Sequence, residues 1–156
     1  MLFYTIYTST PRDQVTLETL KEIKIVSQKN NPEKDITGIL LGMENKYLQY
    51  LEGPEDNVNE LFSKIWKDSR HQHVTQWIKG YSEERVFGDW SMGSWMLTND
   101  ELKNMPSLSD LKKFLEDPLK NELKSTKFIA MMNSLLKTWI AHEPERLKKM
   151  RGGLSN

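Results

Sequence analysis

Cysteine is absent from the 156 residues, which excludes disulfides, thiolate nucleophiles and thiolate zinc sites. Net charge is absent too, since 22 Lys plus Arg balance 22 Asp plus Glu. No global field therefore draws the chain to nucleic acid or to an anionic membrane, although Arg146–Arg151 makes a local basic stretch. No apolar run approaches the roughly 20 residues that span a bilayer, so no transmembrane helix is expected. Met1–Tyr7 shows neither a basic leader nor a cleavage pattern, so no secretory signal is expected and the expected compartment is the cytoplasm. A glycine-rich phosphate loop and a Ser-His-Asp arrangement are both missing. His71 and His73 have no third ligand nearby in the sequence, so no metal site is expected. With no catalytic constellation in view, the chain does not read as an enzyme.

Apolar residues at 37% and charged residues at 28% suit one compact soluble domain with a modest appendage. Leu2–Thr8, rich in β-branched and aromatic residues, predicts a strand with Phe3, Thr5 and Tyr7 on one face and Leu2, Tyr4 and Ile6 on the other. A helix is predicted over about 16–30, with Leu17, Leu20, Ile23 and Val26 as its apolar stripe, and Pro32 blocks its continuation. Asp35–Gly42 and Lys46–Glu52, joined by Met43-Glu44-Asn45, predict a hairpin. Gly53-Pro54-Glu55-Asp56 starts a second helix with Val58, Leu61, Phe62 and Ile65 as its apolar positions. Val74–Tyr81 and Arg85–Met92 read as two further strands.

This β-α-β-β-α-β-β order over about 95 residues matches an α+β ferredoxin-like fold with one added strand and two helices on one sheet face. Right-handed crossovers make the first and third strands central neighbours, which brings Tyr7 beside Gln49. From residue 97 the pattern turns helical, with a short helix over about 110–116 and a longer one over about 122–141. The stripe of the longer helix (Phe128, Met131, Met132, Leu135, Leu136, Trp139 and Ile140) is expected to cover the other sheet face. Residues 1–96 are thus expected to form the main domain, and 97–156 a helical extension frayed after about 145.

Two polar intrusions stand out. The core-facing line of the first helix, from Leu20 and Ile23, continues to Ser27, Asn30 and Asn31. Those carboxamides are either a helix cap or a set of donors and acceptors for one ligand. In the strand Tyr47-Leu48-Gln49-Tyr50-Leu51-Glu52, Gln49 shares a face with Tyr47 and Leu51. If that face is buried, Gln49 needs partners and Tyr7 is the nearest; the opposite face, ending at Glu52, looks wetter. A planar heteroaromatic ligand wedged between the helices, on Ile23 and Ile65, would use Asn30, Asn31 and Gln49 together.

Several runs then carry a resemblance. They are Ile6-Tyr7-Thr8-Ser9, Ser27-Gln28-Lys29-Asn30-Asn31, Ile36-Thr37-Gly38-Ile39-Leu40-Leu41, Tyr47-Leu48-Gln49-Tyr50-Leu51-Glu52-Gly53, Asp68-Ser69-Arg70-His71 and Phe87-Gly88-Asp89-Trp90-Ser91-Met92. In order and spacing, from Met1 to Gly93, they resemble BLUF domains, the blue-light sensors that use a flavin, usually FAD. The resemblance implies that Tyr7 donates an electron and a proton to the excited flavin. Gln49, between phenol and flavin, would rearrange by rotation or tautomerism and move the absorption band slightly to the red.

Asn31, helped by Asn30, would bond the pyrimidine edge of the ring, and Lys29, Lys64 and Arg70 would lie toward the phosphate end. Ser27, Leu40, Asp68 and His71 complete the implied cofactor-binding set with Ile23 and Ile65. Trp90 and Met92 match the relay pair on the last strand, and which of them lies beside Gln49 in the dark stays open, as does FAD against FMN. Asp35 and Lys64 depart from the family pattern, which has glycine and arginine there. Trp95 is an extra indole, either an electron donor or a packing residue.

The segment after the sensor core, about 60 residues, is too short for a nucleotide cyclase or phosphodiesterase domain. The expected output is therefore a downstream regulatory protein, with a homodimer or higher homo-oligomer expected. The alternative is a single-stranded RNA-binding module, since that topology also stacks bases on first- and third-strand aromatics. Against it stand the zero net charge, the missing basic aromatic signature and the expected helical cover. A small acyl-phosphate hydrolase on this fold lacks a suitable arginine after the first strand other than Arg12.

Overall fold

The computed structural model describes residues 1–88, 91–121, 124, 126–131 and 134. Two compact units divide the chain, Met1–Glu101 and Leu102–Asn156. The first holds β1 (Leu2–Pro11), α1 (Leu17–Asn30), a 3-10 turn (Pro32–Lys34), β2 (Thr37–Met43), β3 (Lys46–Gly53), α2 (Glu55–Lys67), β4 (His71–Ser82) and β5 (Gly93–Met96). Thr16 caps α1 by accepting from the Thr19 N–H at 3.1 Å. Asn31 closes the helix while keeping right-handed helical angles (φ −66°, ψ −36°), because Pro32 has no N–H to donate to the next free carbonyl. α2 carries Glu55 and Asp56 in its first turn and Lys64 and Lys67 in its last, the arrangement that the helix dipole favours.

The sheet order is β4-β1-β3-β2-β5, antiparallel throughout except for the β2/β5 pair. This is the ferredoxin-like α+β arrangement with an added edge strand. Tyr7 is the direct partner of Gln49, and Gln49 of Leu40, so the three side chains form a row across the central strands on one face. β4 carries an extra residue, Trp77, opposite the Ile6–Tyr7 step of β1, and such bulges bend the strand and increase its local twist. α1 lies mainly against β5, and α2 against β1, β3 and β4. Under them Phe3, Tyr7, Leu20, Leu40, Tyr47, Leu51, Val58 and Met92 form one buried cluster, with Ile23, Phe62 and Ile65 packed on it. Each fully buried aliphatic side chain in it contributes about 1.5–3 kcal/mol.

The structure corrects several expectations. In α1 the inward line is Leu20, Ile23, Ser27 and then Asn31, whereas Leu17 and Val26 are 56% and 57% exposed. Of the expected polar continuation, Ser27 and Asn31 lie on this face, whereas Asn30 is exposed. Residues 85–88 and 91–92 are not strand, and β5 begins only at Gly93. The N–H groups of Val86 and Phe87 are bonded to the Glu52 carboxylate instead of to a neighbouring strand. Glu52 itself is fully buried and its face is not wet. β4 starts at His71, three residues earlier than expected, because an edge strand tolerates polar residues on its solvent side. Asp35 adopts a left-handed backbone (φ 53°), a conformation in which glycine is unstrained and Asp is among the better tolerated side chains.

After β5 comes a short helix, α3 (Asn99–Asn104), that the sequence pattern did not reveal. In the second unit a 3-10 turn (Pro106–Leu108) leads into α4 (Ser109–Glu116), which buries Leu111 and Phe114. Residues 126–131 are helical, with Phe128 and Met131 buried. The expectations for Met132, Leu135, Leu136, Trp139, Ile140 and the frayed end fall outside the described residues. No helix among the described residues is long and apolar enough to cross a membrane.

Candidate functional site

Alternation along β1 and β3 turns Tyr7 and Gln49 toward the helices, and their register sets them side by side. Both are buried. The Tyr7 hydroxyl donates to Gln49 Oε1, and Gln49 Nε2 donates to Met92 Sδ at 3.5 Å. One carboxamide thus spends its acceptor on a phenol and its donor on a thioether. Turned by half a rotation, it would offer N–H groups to the phenol oxygen and leave its carbonyl facing sulfur, which has no proton to give. The two orientations are chemically distinct.

Phe62 of α2 meets the Tyr7 ring edge-on, with centroids 5.1 Å apart. Burial pushes the Tyr7 phenol far above the ordinary 10.0, so it is a neutral proton donor. Tyr50 is raised likewise by burial, with the Glu52 carboxylate adding to it. The folded chain keeps both protons where an unfolded chain releases them. The stability they carry is therefore complete below pH 10 and is lost as pH rises beyond it. Urea unfolding across alkaline pH should show this fall, with the phenolate absorbance of Tyr7 appearing only on unfolding. A phenolate step near pH 10 in the folded chain, missing from Tyr7→Phe, would contradict the burial of this hydroxyl.

The C-terminal end of α1 holds the segment that carries Met92. Asn31, buried, donates from Nδ2 to the Ser91 carbonyl at 2.7 Å, and Gln28 Nε2 reaches the Met92 carbonyl at 3.4 Å. Asn31 is also the helix cap, its N–H donating to the Ser27 carbonyl at 2.8 Å, which is the first of the two roles weighed for it. Ile23 on α1 and Ile65 on α2 are half-buried against the cluster that contains Tyr7, Leu40 and Met92.

Lys29 and Asn30 lie exposed in the last turn of α1. Lys64 is exposed and paired with Glu60 at 2.8 Å. Arg70 pairs with Asp68 at 2.6 Å and, by bonding to it, holds the Asp68 carboxyl well below the usual range. His71 contacts Ser9 Oγ at 3.0 Å, and burial pushes its imidazole down.

The structure thus gathers Tyr7, Gln49, Leu40, Met92, Asn31, Ile23 and Ile65 about one cluster and leaves Lys29, Asn30, Lys64 and Arg70 at the surface. Trp90 lies outside the described residues. Trp95 pairs with Leu41 in register and so faces away from Tyr7. It is buried there, as a packing residue is. The set fits a planar ring with a polar edge: aliphatic side chains on two helices for its faces, carboxamides for its rim and cations outward. Gln28, Phe62 and the Ser91 carbonyl join the site without having been expected there from the sequence. Gln28 stands three residues before Asn31, a spacing that shares a helix face and could have found it.

Residues 2–93 match the family profile described as BLUF, sensors of blue-light using FAD. The blue light- and temperature-regulated antirepressor BluF of Escherichia coli (strain K12) is 34% identical over 92 residues, which is 59% of this chain and 23% of that protein. The chain spans less than a quarter of the length of the curated relatives it matches. Among solved structures, the BLUF protein BlrB in its dark state superposes with a TM-score of 0.67 at 28% identity, covering 85% of this chain and 96% of that one. The photo-activated state of BlsA gives 0.71 at 25% identity, covering 87% and 95%.

Proposed function

The chain belongs to the BLUF family of blue-light sensors that use FAD, and from that membership and the Tyr7–Gln49–Met92 contacts we propose how it senses light. Ile23 and Ile65 hold the faces of an FAD ring. Gln49, Asn31 and Asn30 hold its edges, with Ser27 and Leu40 lining the site, and Lys29, Lys64, Asp68, Arg70 and His71 stand toward its phosphate end. When bound, the flavin supplies absorption of blue light and an acceptor for an electron from the phenol.

Tyr7 moves its proton along the bond it already makes to Gln49 Oε1. The proton and electron return, and the Gln49 carboxamide is left turned or tautomerised. Turned, the carboxamide no longer presents an N–H to Met92 Sδ, and Met92 leads directly into β5. One such bond is worth about 0.5–1.5 kcal/mol, enough to shift a bistable contact up to roughly tenfold. The change passes from β5 to the helices after residue 97 and to a downstream regulatory protein, with the chain acting as a homodimer.

The buried phenol–carboxamide bond at the centre of the sheet carries this reading. A nucleic-acid platform has less support, because Tyr4 and Tyr50 on the opposite face are buried and offer no surface for stacking. The purified chain incubated with FAD is expected to turn yellow, and brief blue illumination to shift its visible band to the red and back in the dark. Failure to take up FAD, or a loaded protein blind to blue light, would remove the proposal.

A further inference from the structure

Glu52 is a fully buried carboxylate on the sheet face away from Tyr7, and the proposed light mechanism makes no use of it. Four donors converge on it. The Thr37 hydroxyl and the Phe87 N–H reach Oε1 at 2.9 and 2.8 Å, and the Tyr50 hydroxyl and the Val86 N–H reach Oε2 at 3.1 and 2.9 Å. Arg85 closes the outside of this ring. Its Nη1 donates to Thr37 Oγ1 at 2.9 Å, and its Nη2 donates to the Asp35 carbonyl at 2.9 Å and pairs with the Asp35 carboxylate at 2.8 Å. Phe87, buried, lies against Tyr50 with ring centroids 5.0 Å apart.

Thr37 and Tyr50 belong to β2 and β3. Arg85, Val86 and Phe87 all belong to one stretch, the connection between β4 and β5, which these contacts tie to Glu52, Tyr50, Thr37 and Asp35. Five residues after Phe87 that same stretch presents Met92 to Gln49, while Asn31 and Gln28 hold the Ser91 and Met92 carbonyls. Gln49 and Glu52 are on one strand, three residues apart and on opposite faces. A single strand therefore grips both ends of the connection, one through a carboxamide that is free to turn and one through a carboxylate that is not.

We propose that Glu52 is the positioning residue of the light switch: it fixes residues 85–87 to β3, so that a turn of Gln49 displaces Met92 against a stationary anchor. This rests on Met92 being the relay proposed above. The chemistry demands a carboxylate, because all four groups facing it donate and only an acceptor-only side chain serves them together. In Glu52→Gln the new amide N–H₂ must face one side of the ring. The Thr37 or Tyr50 hydroxyl can rotate to accept from it, but the backbone N–H of Phe87 or Val86 on that side loses its acceptor.

The test uses the whole FAD-loaded chain with ¹³C-methyl methionine, the Met92 signal being assigned from Met92→Leu. In the parent, the Val86 and Phe87 amides should resist hydrogen exchange in dark and light alike, while the Met92 methyl resonance moves on illumination. In Glu52→Gln the FAD uptake and the red shift should persist. The Val86 or Phe87 amide should exchange at least about tenfold faster, the Met92 resonance should broaden or split in the dark, and the dark-recovery rate should change at least about threefold. Arg85→Gln, which opens only the outer ring, should move the same readouts the same way by less, and it decides the matter if Glu52→Gln does not fold. A parent Met92 methyl blind to light removes the relay and this proposal with it. A responsive parent, beside variants whose Met92 signal and recovery match it, removes the role of Glu52 alone.

Discussion

Tyr7→Phe is expected to take up FAD like the parent and to show no light-induced red shift. The substitution keeps the ring that fills the cluster under α2 and its edge contact with Phe62, so the packing around the chromophore survives. What it removes is the hydroxyl that donates to Gln49 Oε1, and with it the proton that the proposed cycle moves. A buried acceptor left without its donor costs about 1–3 kcal/mol, so unfolding should come several degrees earlier than in the parent. Gln49 Nε2 keeps Met92 Sδ within reach, so the methyl signal of Met92 should stay close to its dark position. Absorption spectra before and after blue illumination, with a melting curve, check both statements; an undiminished red shift removes Tyr7 from its role.

Gln49→Leu should have the second large effect. Leucine fills the volume between Tyr47 and Leu51 but has no group for either neighbour. The Tyr7 hydroxyl then lies buried without an acceptor, and Met92 loses the N–H that approaches its sulfur. The red shift is expected to vanish as in Tyr7→Phe, but here the Met92 methyl should move in the dark as well, and the amides of β5 should exchange faster. The two variants therefore separate the proton donor from the part that passes the signal on. Normal cycling in Gln49→Leu would assign the switch to another residue.

Much of this was legible because the central strands obey local rules. The period of two in β1 and β3, with right-handed crossovers, was enough to set Tyr7 beside Gln49, and the register confirms it. Ser27 and Asn31 correctly pointed to the inward face of α1. Asn30 did not and lies exposed, and nor did the apolar Leu17 and Val26, since the exposed part of a helix surface also carries aliphatic residues. The connection before β5 was misread for a physical reason. Arg85-Val86-Phe87 looks like a strand, and its backbone donors are indeed used, but by a carboxylate 34 residues or more away in sequence. Local periodicity carries no trace of such a partner. The burial of Glu52 was hidden in the same way, because a glutamate at a strand end reads as solvent-facing until its four donors are seen. Gln28, Phe62 and the Ser91 carbonyl belong to the site through contacts that only the folded chain creates.

The central claim is that a carboxamide held between a phenol and a thioether changes its bonding when light arrives. Light-minus-dark infrared difference spectroscopy on the FAD-loaded chain, with isotope label confined to glutamine side chains, reads this directly. The account predicts label-sensitive amide bands in the parent that are missing from both Gln49→Leu and Tyr7→Phe. A parent that shows the red shift while its difference spectrum ignores the glutamine label would contradict it.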